Sequence, residues 1–300
     1  MHGLLILNKP IGMTSRASVD VVQSWFPGVR VGHAGTLDPA ASGTLVIGLG
    51  DATRLLEYVQ RMPKTYRATV RLGAVSDTDD AEGHVQVRDD VSPSSRQALQ
   101  SCLAQFQGEI EQVPPAHSAA HVGGQRAYRL ARRGKEVSLA PRRVRIHRID
   151  LVRYDYPLAE LVVECGKGAY IRSLARDVGI HLGCGGMLES LERSRIGPFL
   201  LQDALTLNAG LDLARRQVRP AAQAVVDLPQ VSLSPMDQKR LSHGQRVILQ
   251  DSQLRGWDDG SEIAVISQDN DVFAIARFVA ANGELWPEKV FARLPGSGME

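Results

Sequence analysis

One acid, Asp38, stands between a leucine and a proline in GHAGTLDPAASGTL (residues 32–45), a stretch otherwise built largely of glycine, alanine, serine and threonine. Small side chains let a second backbone or a flat ligand come close, and Pro39 narrows the conformations open to the residue before it. Two kinds of work fit that setting. Asp38 caps a turn, as Asp before Pro commonly does, or it presents a carboxylate to a ligand, and local geometry leaves both open. The acidic run DTDDAEG (residues 77–83) offers further carboxylates, but Ala81 and Glu82 occupy the places where a calcium loop needs a ligand and its turn glycine. Three cysteines, Cys102, Cys165 and Cys184, lack C-x-x-C spacing, so neither a zinc site nor a disulfide framework is indicated.

Cationic chemistry is concentrated elsewhere. From Gln112 to Arg148 nine basic residues (Arg126, Arg129, Arg132, Arg133, Lys135, Arg142, Arg143, Arg145 and Arg148) stand against one acid, Glu136, on a chain whose net charge is only +2. A guanidinium-rich stretch on a near-neutral body is the footprint of a surface that grips phosphates, and arginine also stacks on bases. A plain solvated basic face is the competing reading. The interleaved Tyr128, His117, His121 and His147 bring the two level.

The elements that must position these groups follow from periodicity and punctuation. Residues 3–7 read as a short strand, and Thr14 or Ser15 caps a helix running to about Phe26. Thr65–Leu72 alternates, with Tyr66, Ala68, Val70 and Leu72 on one face and Thr65, Arg67, Thr69 and Arg71 on the other, as in a half-buried strand. Ser92 before Pro93 reads as a helix start, followed by the apolar stripe Ala98, Leu99, Cys102, Phe106. Leu161–Cys165 reads as a strand. A helix from about Tyr170 to Leu182 buries Ile171, Leu174, Ala175, Val178 and Leu182, and sets Arg172 and Arg176 one turn apart on another side. Residues 202–226 read as helical. Beyond DLPQVSLSP (residues 227–235), short strand-like runs at 247–249, 263–267, 272–279 and 290–294 alternate with Gly, Asp and Asn turns, as in a small β-rich domain.

With 300 residues, 43% hydrophobic and 23% charged, the chain can bury a full core and is long enough for one large domain and a small one. The apolar run at its start, Gly3–Leu7, is too short for a signal peptide or a membrane span. A cytoplasmic protein without a membrane partner is expected.

Several segments together carry a resemblance. ILNKPIGMTS (6–15), GHAGTLDPAASGTLVIGLGDATR (32–54), KTYRATVRLG (64–73) and GKGAYIRSLARDVGIHLG (166–183) resemble, in order, the signature segments of the TruB family of tRNA pseudouridine synthases. QVPPAHSAAHVGGQRAYRLARRG (112–134) is similar to that family's RNA-gripping insertion, and the tail from about Val231 resembles a PUA domain, a small RNA-binding β-barrel. The implied fold is α+β: a catalytic domain over 1–228 with a mixed, largely antiparallel sheet flanked by helices and the basic insertion at about 112–145, then a PUA domain over 229–300. The implied activity is conversion of uridine to pseudouridine at position 55 in the T loop of tRNA, by a monomer needing no cofactor, metal or guide RNA.

Residue by residue, Asp38 in GTLDP matches the family's catalytic aspartate, acting as nucleophile or base in its ionised form. Arg172 in YIR matches the arginine that pairs with it, and a nearby guanidinium favours the charged carboxylate. Tyr66 matches the ring that stacks on the target base and accepts a proton. His33 matches a residue that reaches into the T loop, Tyr170 and Leu191 align with residues lining the uracil pocket, and Asp80 matches an acid near the site. The RNA contacts are assigned to Arg126, Arg129, Arg132, Arg133, Lys135, Arg142 and Arg143. The chain departs from the family's common pattern at Ala120 and His121, at Glu192 and at Gly166. Other classes stay open: a guide-dependent synthase, which should lack the basic insertion; a non-catalytic tRNA-binding or folding protein, which would not need Asp38, Tyr66 and Arg172; and a metal-dependent nuclease using the carboxylates of 77–90.

Overall fold

The computed structural model describes residues 1–116, 139–250, 256–267, 269 and 271–291, and the backbone alone at 121–122 and 125–126. In chain order the strands are β1 (Gly3–Lys9), β2 (Val31–His33), β3 (Ala41–Leu49), β4 (Lys64–Leu72), β5 (Ala74–Ser76), β6 (Val85–Val87), β7 (Gly108–Gln112), β8 (His121–Val122) and β9 (Gln125–Arg126). They continue with β10 (Arg142–Asp155), β11 (Leu158–Cys165), β12 (Gly186–Ile196), β13 (Phe199–Leu200), β14 (Gln230–Val231), β15 (Val247–Ile248), β16 (Glu262–Ile266), β17 (Val272–Val279) and β18 (Glu284–Val290). The α-helices are α1 (Ser15–Trp25), α2 (Leu56–Arg61), α3 (Arg96–Gln105), α4 (Ile171–His181), α5 (Gly210–Arg216) and α6 (Pro235–Ser242).

The central sheet runs β1-β3-β12-β4-β11-β10-β7, with β2 added to β3 and β13 to β12. All its pairings are antiparallel except β12 with β3. β4 alternates as expected: Ala68, Val70 and Leu72 are buried and Arg67 is exposed. Thr14 caps α1 by accepting from the Ala17 N–H, and Val19, Val22 and Phe26 bury against Leu5, Leu7, Leu45 and Ile47. Ile171, Leu174, Ala175 and Val178 of α4 pack with α3 onto β4, β10, β11 and β12. The helix lies unusually close to the sheet there, because a Cβ at Gly179 would stand 2.0 Å from the Gly186 nitrogen. Only glycine permits that approach.

A second sheet, β14-β16-β17-β18-β15, follows the turn-rich change of texture near residue 230. Its Ala264, Ile266, Val272 and Ile275 share a buried cluster with Leu55, Tyr58, Val59 and Met62 of the first part. No helix among the described residues is long and apolar enough to cross a membrane.

Four sequence expectations shift. The third helix starts at Arg96, capped by Ser95 rather than Ser92, because the Ser95 side chain accepts the Ala98 N–H. Residues 202–226 are not one helix but three short pieces, 201–203, Gly210–Arg216 and 221–225, separated at Gly210 with φ +75 and at Pro220. The terminal strand is Glu284–Val290, and residues 292–294 lie outside the described residues. The end of the basic stretch is the start of β10, whose Arg142–Ile146 pairs with β7 inside the central sheet.

Candidate active site

Asp38 sits in the loop that leads into β3, and its neighbours on both sides are clamped. The Ser15 hydroxyl, at the start of α1, accepts from the Leu37 N–H at 2.8 Å and donates to the Leu37 carbonyl at 3.0 Å. The Gly12 N–H donates to the Pro39 carbonyl at 2.8 Å, and the Ala41 N–H to the Asp38 carbonyl at 3.1 Å. The turn-capping and ligand-presenting readings of the carboxylate are therefore separable: the turn is closed by backbone, and the side chain is left for something else. Small residues nearby serve close packing. A Cβ on Gly43, at φ +107, would meet the Arg193 carbonyl at 2.3 Å.

What the carboxylate meets is Arg172, in the first turn of α4. Arg172 Nη2 lies 2.9 Å from Asp38 Oδ2. The guanidinium side chain is 6% exposed and Asp38's is 42% exposed, so a buried cation orients an anion whose other edge faces solvent. Arg172 Nη1 reaches Asp80 Oδ2 at 3.2 Å and donates to the Thr78 carbonyl at 3.1 Å. Asp80 is itself buried and accepts from the Thr78 hydroxyl at 2.6 Å and the Glu82 N–H at 3.0 Å. It thus forms the turn and holds the arginine at once. One turn along, Arg176 bonds Asp79 at 2.8 Å, and burial nonetheless raises the Asp79 carboxyl.

Tyr66 lies on β4 opposite Arg193 of β12, its ring packed against the cluster under α4. Burial raises its phenol, while the positive charge of Arg193 opposes the shift and the charge of Asp38 adds to the rise. Arg193 is buried, donating from Nε to the Thr44 carbonyl at 2.8 Å and from Nη2 to the Gly35 carbonyl at 3.2 Å. Lys9, at the end of β1, is also buried; its ammonium donates to the Pro10 and Met13 carbonyls at 2.8 and 2.6 Å. Burial lowers it to about 8, with Asp38 pulling the other way. His33 ends β2, and its Nδ1 is buried without a hydrogen-bond partner. Burial lowers its pKa, the Gly35 backbone opposes that, and the nearby Arg193 and Arg16 charges add to the lowering, so the ring is neutral at pH 7.

Tyr170 is the residue before α4, in extended conformation, with its backbone gripped by the Gln112 side chain. Leu191, half-buried, stands on β12 between Ala41 and Ala68. Arg142 places its guanidinium 5.6 Å from the centroid of the Tyr170 ring, and Arg143 beside it is exposed. The side chain of Arg126, and the whole of Arg129, Arg132, Arg133 and Lys135, lie outside the described residues. Among the described residues no group of three or more His, Cys, Asp or Glu side chains is placed to hold a metal ion.

Comparison with known proteins gives the family of the chain. The family model described as TruB family pseudouridylate synthase, N-terminal domain, matches residues 24–171. The tRNA pseudouridine synthase B of Bradyrhizobium diazoefficiens is 41% identical over 97% of this chain and 86% of its own length. That of Ruegeria pomeroyi is 40% identical over 98% and 96%. The chain belongs to the TruB family of pseudouridine synthases. A chain in the crystal structure of a Cbf5-Nop10-Gar1 complex shares the fold, with a TM-score of 0.76 at 24% identity over 97% of this chain and 85% of that one.

In this TruB-family chain the structure brings Asp38 and Asp80 onto Arg172 and sets Tyr66 opposite Arg193 on the neighbouring strand. Three residues of the site were not singled out from the sequence: Lys9, Arg193 and Gln112. Lys9 lies in the signature segment ILNKPIGMTS, and a lysine directly after an apolar strand was a usable signal. Arg193 and Gln112 carry no local sign of burial.

Proposed function

We propose that the protein isomerises uridine to pseudouridine at position 55 in the T loop of tRNA. The N1–C1′ bond breaks, a C5–C1′ bond forms, C5 loses its proton and N1 ends with one, so atoms balance without a cofactor. Asp38 is the nucleophile or base, and the observation that carries this is its 2.9 Å pairing with a buried guanidinium while 42% of its side chain stays exposed. Arg172 holds the carboxylate in place, and Asp80 holds Arg172. Tyr66 stacks on the uracil, while Tyr170 and Leu191 line its pocket and His33 enters the T loop as a neutral ring. A uridine stacked inside the folded tRNA elbow is out of reach until flipped, at a cost of a few kcal/mol that phosphate contacts offset. That is the role assigned to Arg142, Arg143 and the basic segment carrying Arg126, Arg129, Arg132, Arg133 and Lys135.

Residues 1–228 are proposed as the catalytic domain and 229–300 as an RNA-binding domain of the PUA kind, supported by the separate five-stranded sheet. The enzyme is read as a cytoplasmic monomer, and the basic insertion favours action without guide RNA. The test is incubation with unmodified tRNA tritiated at uracil C5. Wild type is expected to release tritium without guide RNA and in chelator, and Asp38→Asn to bind tRNA but release none. Release by Asp38→Asn would overturn the assignment of Asp38.

A further inference from the structure

The last rung of the β7–β10 ladder sets Gln112 opposite Arg142, and both side chains reach Tyr170. Gln112 is 1% exposed. Its amide does for Tyr170 what a neighbouring strand would: Oε1 accepts the Tyr170 N–H at 2.7 Å, and Nε2 donates to the Tyr170 carbonyl at 3.0 Å. Tyr170 is the N-cap of α4 and offers no side-chain cap of its own. The next residue of the chain, Val113, accepts from the Ser173 hydroxyl at 2.8 Å and from Arg176 Nη2 at 2.9 Å. The first turns of α4 are thereby tied on two sides of Arg172, by groups that do not belong to the Asp38 cluster.

We propose that Gln112 is a positioning residue for the isomerisation. Its buried amide fixes the entry of α4, and with it the aim of Arg172 at Asp38 and the setting of the Tyr170 ring; it does not touch the substrate. This rests on the function proposed above. A guanidinium projects far from its Cα, so a small tilt of the helix entry becomes a larger displacement at Asp38, and misplacement of about 1 Å can cost about 100-fold in rate. The same rung brings Arg142 against Tyr170, so the strands that lead into and out of the basic segment share one joint with the helix that carries Arg172.

The full chain is compared as wild type, Gln112→Met and Gln112→Glu, by single-turnover tritium release, by tRNA binding and by thermal melting. Methionine keeps the volume and removes both hydrogen bonds; glutamate keeps the acceptor for the Tyr170 N–H and loses the donation to its carbonyl. Gln112→Met is expected to slow the reaction about 10- to 100-fold and Gln112→Glu by less, both with tRNA affinity within about 3-fold of wild type. An unchanged rate in folded Gln112→Met overturns the proposal, as does a loss confined to tRNA affinity. Should Gln112→Met not fold, folded Gln112→Glu decides: a slower rate at unchanged affinity supports the proposal and an unchanged rate overturns it. If neither folds, the residue is structural and the proposal is wrong. A wild-type protein that releases no tritium is a different failure, that of the proposed function itself.

Discussion

Two clusters in which carboxylates pair with cations behave differently. In the first, Asp38, Arg172 and Asp80 share one guanidinium whose side chain is 6% exposed. In the second, α2 meets the second sheet: Arg61 bonds Glu57 and Glu262, Lys289 bonds Glu57, and Tyr58 bonds both Lys289 and Glu262. There Arg61 and Glu57 are 46% and 48% exposed. Removing water from Arg172 and Asp80 in the first cluster makes their charges both costly and directional, so each needs its partner in place. Leaving water in the second screens the charges, and the apolar contacts of Tyr58, Val59 and Met62 with Ala264, Val272 and Ile275 hold the sheets together. In the first the charges hold one another around a buried guanidinium, and in the second they surround a hydrophobic joint.

The contrast is sharpest if Arg172 is removed. Arg172→Met leaves Asp80 buried without its cation, and a stability loss of about 3–5 kcal/mol is expected in denaturant unfolding, together with loss of tritium release. A loss under about 1 kcal/mol would place the two clusters in one class.

Acid titration next sets a buried group near the first cluster, His33, against a member of the second, Glu57. His33 is neutral in the fold because burial lowers its pKa, so as pH falls below the ordinary value of 6.5 the unfolded chain takes the proton first. Stability therefore drops through that window down to the depressed value, and His33→Asn removes that part of the slope with little dependence on salt. Glu57 is held low by its hydrogen bond from Lys289, so its contribution is present above the ordinary value of 4.5 and is lost as pH falls below it. Glu57→Gln removes that lower limb, and added salt weakens it in wild type because the group is exposed. Melting temperature against pH at two salt concentrations checks both.

The smallest effect is expected for Arg61→Met. With its bonds to Glu57 and Glu262 lost, stability should change by no more than about 1 kcal/mol, less in high salt, and tritium release should be unchanged. A large loss would mean that the charges, rather than the apolar contacts, join the sheets.

Much of the site was legible along the chain. Alternation through 65–72 put Tyr66 on the buried face of β4, and spacing put Arg172 and Arg176 one turn apart on α4. That the two would part company, one to Asp38 and Asp80 and the other to Asp79 and the Val113 carbonyl, was not legible, because their partners come from distant turns. The strand β12 escaped notice since its bulges at 188–190 and 193–195 break the period of two that betrays a strand.

The chain's own order of residues determined the family, the α+β class, the stiff loop around Asp38 and the amphipathic faces that build the sheet and α4, since those depend on neighbours in sequence. Tertiary structure alone decided that Arg193 is buried on carbonyls 149 and 158 residues away, that Lys9 loses its water near Asp38, and that Gln112 grips Tyr170. A polar side chain carries no mark of its burial. Whether it solvates, pairs or positions is set by which backbone folds over it, and that is a property of the whole packed chain.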